Sequence, residues 1–233
     1  MTIVINSVGV AASVEWIKKG WQLFTKAWLK LLIAVVVFYI GMFIIGLVPL
    51  LGQLILMVAA PCAMVAVNIA LKDVDSSGDF NWSSVFERVK QKFKATLIIS
   101  AVNFGLIIAM MILTFVFIGG GVAAGGAMGS EAGMAASVAV GGVITFIFGL
   151  AIGIANWFSI PLIALTDTSA VDALKASFTA SIKNILPMIV FGLIMAVLFI
   201  ASLFTLGLGL LIVIPVSIGA NYAATRALFP VAA

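Results

Sequence analysis

VEWIKKGWQLFTKAWLKLLIAVVVFYIGMFIIGLVPLLGQLILMVAAPCAMVAVNIALK, residues 14–72, is the stretch whose reading decides the fold. Its first part is amphipathic. Val14, Ile17, Trp21, Phe24 and Trp28 recur at spacings of three and four on one helical face, with Glu15, Lys18, Lys19, Gln22, Lys26 and Lys30 largely opposite. Tryptophans and lysines divided in this way suit a helix lying in a membrane interface. A basic, snorkelling extension of the next helix is the competing reading. Leu31–Val48 then runs without a charge, and Leu51–Leu71 returns after the turn Val48-Pro49-Leu50-Leu51-Gly52. About 20 apolar residues cross about 30 Å of hydrocarbon, so each run is read as one span. Pro61 falls inside the second span. It predicts a kink, or a freed carbonyl that a neighbour must satisfy.

Composition agrees with lipid as the solvent. The 233 residues are 64% hydrophobic and 9% charged, whereas soluble domains are about half apolar and about a quarter charged. Histidine is absent, which removes the commonest metal ligand and the usual general base. Cys62 is the single cysteine, so neither an internal disulfide nor a cysteine metal cluster is expected. Met1–Val14 holds no lysine or arginine, so a cleavable signal is not expected either.

Further along, Lys72–Asn81 reads as a polar loop carrying Asp73, Asp75 and Asp79. A second amphipathic stretch follows: Trp82, Val85, Phe86, Val89 and Phe93 share a face, while Glu87, Arg88, Gln91 and Lys94 lie away from it. Ser84 with Glu87 resembles a capping box, and Ala95–Ile118 is the third span. Gly119–Gly142, GGGVAAGGAMGSEAGMAASVAVGG, has too many glycines for an uninterrupted helix. An external loop is the plain reading. Close helix packing is the alternative, since Gly121/Gly125 and Gly149/Gly153 have GxxxG spacing. Met134–Leu165 is apolar for longer than one span needs and is expected to be tilted, protruding or broken, with Pro161 near its cytoplasmic end. Val171, Leu174, Phe178 and Ile182 form a third stripe, opposed by Asp172, Lys175 and Lys183, with Ser169 and Asp172 as the N-terminal cap. Ile185–Phe204 and Leu208–Ala224 make the last hairpin around Thr205-Leu206-Gly207, and Pro215 lies inside the sixth span.

The expected fold is therefore an all-α integral membrane protein. Residues 1–233 form one membrane domain of six transmembrane helices in three parallel repeats, each an amphipathic interfacial helix followed by a transmembrane hairpin. The units are 14–72, 82–165 with the insertion at about 119–142, and 169–226. A gapless offset of 154 pairs Ile17 with Val171, Phe24 with Phe178, Pro61 with Pro215, Ala66 with Ala220, Ala70 with Ala224 and Lys72 with Arg226. An offset of 69 pairs Ile17 with Phe86 and Phe24 with Phe93, and Pro161 is the match to Pro61 in the second unit. All 12 basic residues fall on one side of this layout. The positive-inside rule makes that side the cytoplasm, with both termini there.

No charged residue lies deep in a span, which argues against ion-coupled transport, proton relays and voltage sensing. No nucleophile–base pair, carboxylate pair, phosphate loop or metal cluster is recognisable, so neither an enzyme nor a cofactor is expected. The surface candidates are Lys18, Lys19, Lys26, Arg88, Lys90, Lys92 and Lys94, as a site for anionic lipid headgroups or a protein partner; an orientation signal is the bland reading. Asn68, Asn156 and Asn221 are candidates for an intramembrane polar cavity, against the plainer role of interhelical bonding. Gly149 and Gly153 are candidates for helix packing.

The runs Trp16-Ile17-Lys18-Lys19-Gly20-Trp21-Gln22-Leu23-Phe24, Val48-Pro49-Leu50-Leu51-Gly52-Gln53 and Pro161-Leu162-Ile163-Ala164-Leu165 carry a resemblance, with Ala173-Leu174-Lys175-Ala176-Ser177-Phe178 and Asn184-Ile185-Leu186-Pro187. The chain resembles the YciC-like multi-span bacterial membrane proteins and the membrane domain fused to some glycerophosphodiesterases. The resemblance implies the fold and a bacterial inner membrane, and no catalytic residue. The expected role is a non-enzymatic accessory or scaffold subunit, or an organiser of lipid and protein. Its partners would be membrane lipids, another membrane protein or further copies of itself, and not nucleic acid. A transporter or channel for a neutral or amphiphilic solute is the alternative.

Overall fold

The computed structural model describes residues 3–230, and all its regular elements are helical. α1 (Ala12–Lys26) stops at Ala27, and α2 (Trp28–Gly46) starts immediately after it. α3 (Leu51–Ser77) closes the first hairpin. α4 (Trp82–Thr114) passes through a π-helical turn at Phe115–Gly120 into α5 (Gly121–Ala127). α6 (Glu131–Asn156), α7 (Ser159–Leu165), α8 (Ala170–Lys183), α9 (Ile185–Leu203) and α10 (Leu210–Leu228) complete the order. Six of the continuous helical stretches are long and apolar enough to cross a membrane, so the chain is a multi-pass membrane protein by length and composition.

Several local expectations are corrected. The expected polar loop does not begin at Lys72: α3 continues to Ser77 and stops at Gly78, whose φ of +85° is a left-handed C-cap. Asp73 and Asp75 are therefore helical. The second amphipathic stretch is not a separate helix but the first turns of α4. Its cap is Asn81, which accepts from the Ser83 and Ser84 amides, and not a Ser84–Glu87 box; Glu87 pairs with Lys90 instead. The expected Ser169 cap is present, accepting from the Asp172 amide.

The glycine–alanine stretch is a helical hairpin and not a loop. Only Met128–Ser130 turns. A Cβ on Gly121 would lie 2.2 Å from the Ser137 Cβ, and one on Gly141 would lie 2.6 Å from Ile118 Cγ1. Each glycine costs a helix about 1 kcal/mol relative to alanine. Here that cost is offset because two backbones approach more closely than any side chain permits. The run Trp82–Ala127 has 46 residues, about 69 Å of helix at 1.5 Å per residue, more than twice the hydrocarbon thickness.

Met134–Leu165 is broken at Trp157-Phe158, between α6 and α7. The Phe158 amide, freed by the break, donates to Ser177 Oγ at 2.9 Å. Pro161 sits in the first turn of α7, where its missing N–H costs no intrahelical bond. Pro61 and Pro215 instead lie inside α3 and α10, which continue past them.

The faces that turn inward are not the large apolar stripes. In α1 the buried residues are Ser13, Trp16, Gly20, Leu23 and Phe24, of which only Phe24 belongs to the expected stripe, while Val14 and Trp21, and Trp28 at the start of α2, point outward. In α8 they are Ala170, Ala173, Ala176, Ser177, Ala180 and Ser181, while Val171, Phe178 and Ile182 point outward. Small residues permit close helix approach, and lipid tolerates the large ones outside.

These positions revise the register of the internal alignment. Buried residues of α1 and α8, the breaks at Ala27 and Asn184, the 19-residue helices α2 and α9, and Gly52 with Gly209 coincide at an offset of 157. At that offset Ile17 falls on Leu174 and Phe24 on Ser181, where the offset of 154 puts Val171 and Phe178. From Pro61 and Pro215 onward the offset of 154 holds, with Val65, Ala66, Asn68 and Ala70 buried like Gly219, Ala220, Tyr222 and Ala224. The three-residue difference lies between Gly209 and Pro215, so the alignment is not gapless.

α1 packs on α10, α4 on α3, and α8 on α6 and α7, while α3, α7 and α10 touch one another. The core gathers around this last trio, with Val65, Ile69, Leu162, Ile163, Ala220 and Tyr222 buried.

Candidate functional site

The cations expected to form an open basic surface are mostly tied to carboxylates. Arg88 grips Asp73 through both guanidinium nitrogens. Lys92 donates to Asp167 and to the Thr166 carbonyl, each at 2.6 Å. Lys19 pairs with Asp75 at 2.6 Å. Lys18 pairs with Glu15, and Lys90 with Glu87, within their own helices. Of the seven candidates, only Lys26 and Lys94 are exposed with no carboxylate partner among the described residues. Two carboxyls, Asp79 and the Asp167 already named, are held down by lysines. The Lys30 ammonium, 2.6 Å from Asp79, lowers that carboxyl below its ordinary range, and Lys92 does the same to Asp167.

Asp75 is the residue the sequence reading missed. Its side chain receives Lys19 from α1, together with Arg226 and the Tyr222 hydroxyl from α10. Three helices from opposite ends of the chain meet at one carboxylate that is only 10% exposed. Spacing offered no signal, because one of its partners lies 151 residues away. Asn184 is a second such residue. It accepts from the Val8 amide at 2.9 Å and donates to the Asn6 carbonyl at 3.0 Å. Asn6 in turn donates from its amide to Leu228 O. The segment before α1 is thereby strapped across the end of α10.

The three candidate asparagines separate. Asn68 is buried in α3, donating to its own helix at Met64 O, and its Oδ1 finds no protein partner. It does not line a cavity with the others. Asn156 and Asn221 do. They border a cavity of about 400 Å³ between α6, α7, α9 and α10, with Met64 of α3 at its margin. Asn156 makes a reciprocal amide pair with Asn103 of α4, at 2.9 and 3.0 Å. Asn221 donates to the Trp157 carbonyl at 3.1 Å, at the break between α6 and α7. Ser217, one turn before Asn221, is the third polar residue on the wall.

The rest of that wall is apolar. Phe191 stands between Trp16 and Trp157, with ring centroids 6.1 and 6.2 Å away, and Met195 and Phe199 continue along the same face of α9. Gly153 borders the cavity with open space where a Cβ would be, so no helix of this chain packs closely on it; Gly149 makes only an ordinary contact with Met110. A second cavity of about 490 Å³, lined almost wholly by apolar groups, lies between α2, α3, α4 and α10. Met64 and Ile218 border both. No protein-family model, curated protein or solved structure matches the chain.

Proposed function

We propose that the chain is a non-enzymatic protein of the bacterial inner membrane that holds lipid and organises its surroundings, as an accessory or scaffold subunit would. The observation that carries this reading is the cavity at Asn156 and Asn221. Its volume of about 400 Å³ falls within the usual range for small-molecule sites, about 300–1,000 Å³. The wall combines a long apolar face with a few uncharged polar groups at one end, the polarity pattern of an amphiphile. Both termini are read as cytoplasmic; supporting this, lysines and arginines gather around the C-terminal end of α3. Anionic lipid would be met there by Lys26 and Lys94, and by Lys72 and Lys175, which are likewise exposed without a carboxylate partner among the described residues.

The three units are read as parallel repeats around an axis along the membrane normal. Supporting this, each unit's leading helical segment packs on the second span of another unit in a closed cycle: α1 on α10, α4 on α3, α8 on α6 and α7. The outward stripes of α1 and α8 would then rest against the bilayer interface.

A second reading, passage of a neutral or amphiphilic solute, draws on one feature. The two cavities adjoin at Met64 and Ile218, so a shift of those side chains would join them. Native mass spectrometry after gentle extraction, together with a dye-lipid flux assay in vesicles, separates the readings. A retained stoichiometric lipid without flux is the expected result. Protein-dependent flux would overturn the holding role in favour of passage.

A further inference from the structure

The polar end of the cavity has more free acceptors than donors. Ser217 Oγ donates to Ile214 O at 2.7 Å. Both Asn156 amide hydrogens are engaged, toward Asn103 Oδ1 at 3.0 Å and Ile152 O at 2.9 Å. Asn221 uses one of its two for Trp157 O. What is left over is two lone pairs on Ser217 Oγ and one on Asn156 Oδ1, against an Asn221 N–H and the Trp157 indole N–H; Asn221 Oδ1 also has no protein partner but is buried. No charged side chain lines the cavity. An anionic headgroup would meet no cation there, and an ammonium would meet no anion.

Asn221 and Asn156 each also pair a group of the fold, the Trp157 carbonyl and Asn103, but the architecture does not need polar groups at every such place. At the offset of 154 that holds for the second spans, Ser217 and Asn221 correspond to Ala63 and Val67, and Ile218 to Met64. Ala63, Met64 and Val67 line the second cavity, which is apolar. The same place in the architecture therefore carries apolar side chains at these three positions once in this chain.

Resting on the lipid-holding reading, we propose that the cavity is a site for an uncharged amphiphile whose headgroup is a hydroxyl, of the long-chain alcohol or monoacylglycerol class. The hydroxyl hydrogen goes to Ser217 Oγ or Asn156 Oδ1, and its oxygen takes the remaining Asn221 N–H. The alkyl chain lies along Phe191, Met195 and Phe199, which follow one another at four-residue intervals over about 12 Å of helix.

Trp157 on the cavity wall is the reporter. A long-chain alcohol brominated along its chain, and the methyl ether of the same molecule, are titrated into the protein in phosphatidylcholine nanodiscs. Quenching of Trp157 is taken as the difference between wild type and W157F. The alcohol should quench saturably, at about a tenfold lower concentration than the ether, the value of one hydrogen bond at about 1–1.5 kcal/mol. The S217A/N221V variant carries the residues of the equivalent place in the first unit, and it should bring the two probes to equal concentrations. Equal quenching by alcohol and ether in wild type would overturn the hydroxyl inference and leave the lipid-holding reading standing. Saturable quenching by neither would overturn both.

Discussion

Gly20 of α1 and Gly219 of α10 lie back to back. A Cβ on Gly219 would stand 3.1 Å from the Gly20 Cα, and one on Gly20 would stand 2.5 Å from the Val216 carbonyl oxygen. Because the obstacles are backbone, no rotamer change relieves them. G20A should cost about 1–3 kcal/mol, the range for overpacking a tight contact, seen as a lower Tm in detergent. An unchanged Tm would mean that α1 and α10 do not pack this closely. At the matching position of α8, Ser177 keeps a small side chain and uses its hydroxyl, accepting from Phe158 N and donating to Ile154 O.

Asp75 draws together α1, α3 and α10 through Lys19, Arg226 and Tyr222. D75N leaves two cations without their anion. The pair is neither fully exposed nor fully dry, so a loss of about 1–3 kcal/mol is expected, between the limits for surface and buried pairs. K19M should cost less, because Arg226 still holds the carboxylate. Equal destabilisation by the two variants would contradict the shared arrangement.

Asp79 and Asp167 have carboxyls held below the ordinary value of about 3.9 by Lys30 and Lys92. A depressed folded pKa adds stability above the unfolded value, and that stability is lost as pH falls through the folded one. From about pH 5 to about pH 3, wild type should lose more Tm than the D79N/D167N variant. Parallel Tm curves would show that the two lysines do not act on these carboxylates.

The strap before α1 depends on Asn184, whose side chain is bonded to Val8 N, Asn6 O and Ala180 O. N184A should speed amide exchange at Asn6 and Val8 and cost about 1–3 kcal/mol, since it leaves buried backbone groups unpaired. Exchange that rises evenly over the molecule would point to general destabilisation instead of release of the strap.

A reporter fused at Gly126, in the tip region of the long hairpin, should signal from outside the cytoplasm. One fused after Arg226 should signal from inside. A cytoplasmic signal at Gly126 would reverse the orientation derived from the lysines and arginines.

What was legible in the sequence follows the reach of each interaction. The apolar runs at Leu31–Val48 and Ile185–Phe204 mark α2 and α9 to within three residues. A length matched to the bilayer and the lack of charge decide such a span locally. The Ser169 cap was legible for the same reason, since its partner is three residues away. Asn156 and Asn221 were legible as candidates for one polar cavity, but that Asn68 stands apart from them was not. Asn221 bonds the Trp157 carbonyl, which is a free acceptor because Pro161, four residues on, has no N–H to offer it.

The sequence alone determined that the chain is helical, that it holds six apolar segments of membrane length, and that its charges cluster near their ends. Each follows from residues close together, because in lipid every backbone polar group must be satisfied within its own segment. Only the tertiary structure decided which face of α1 and α8 turns inward, that the glycine–alanine stretch is a paired hairpin, and which cations Asp75 holds. In water, hydrophobicity marks the inward face of a helix. In lipid both faces can be apolar, so the inner one is chosen by how closely backbones approach, and that depends on a partner far away in the chain.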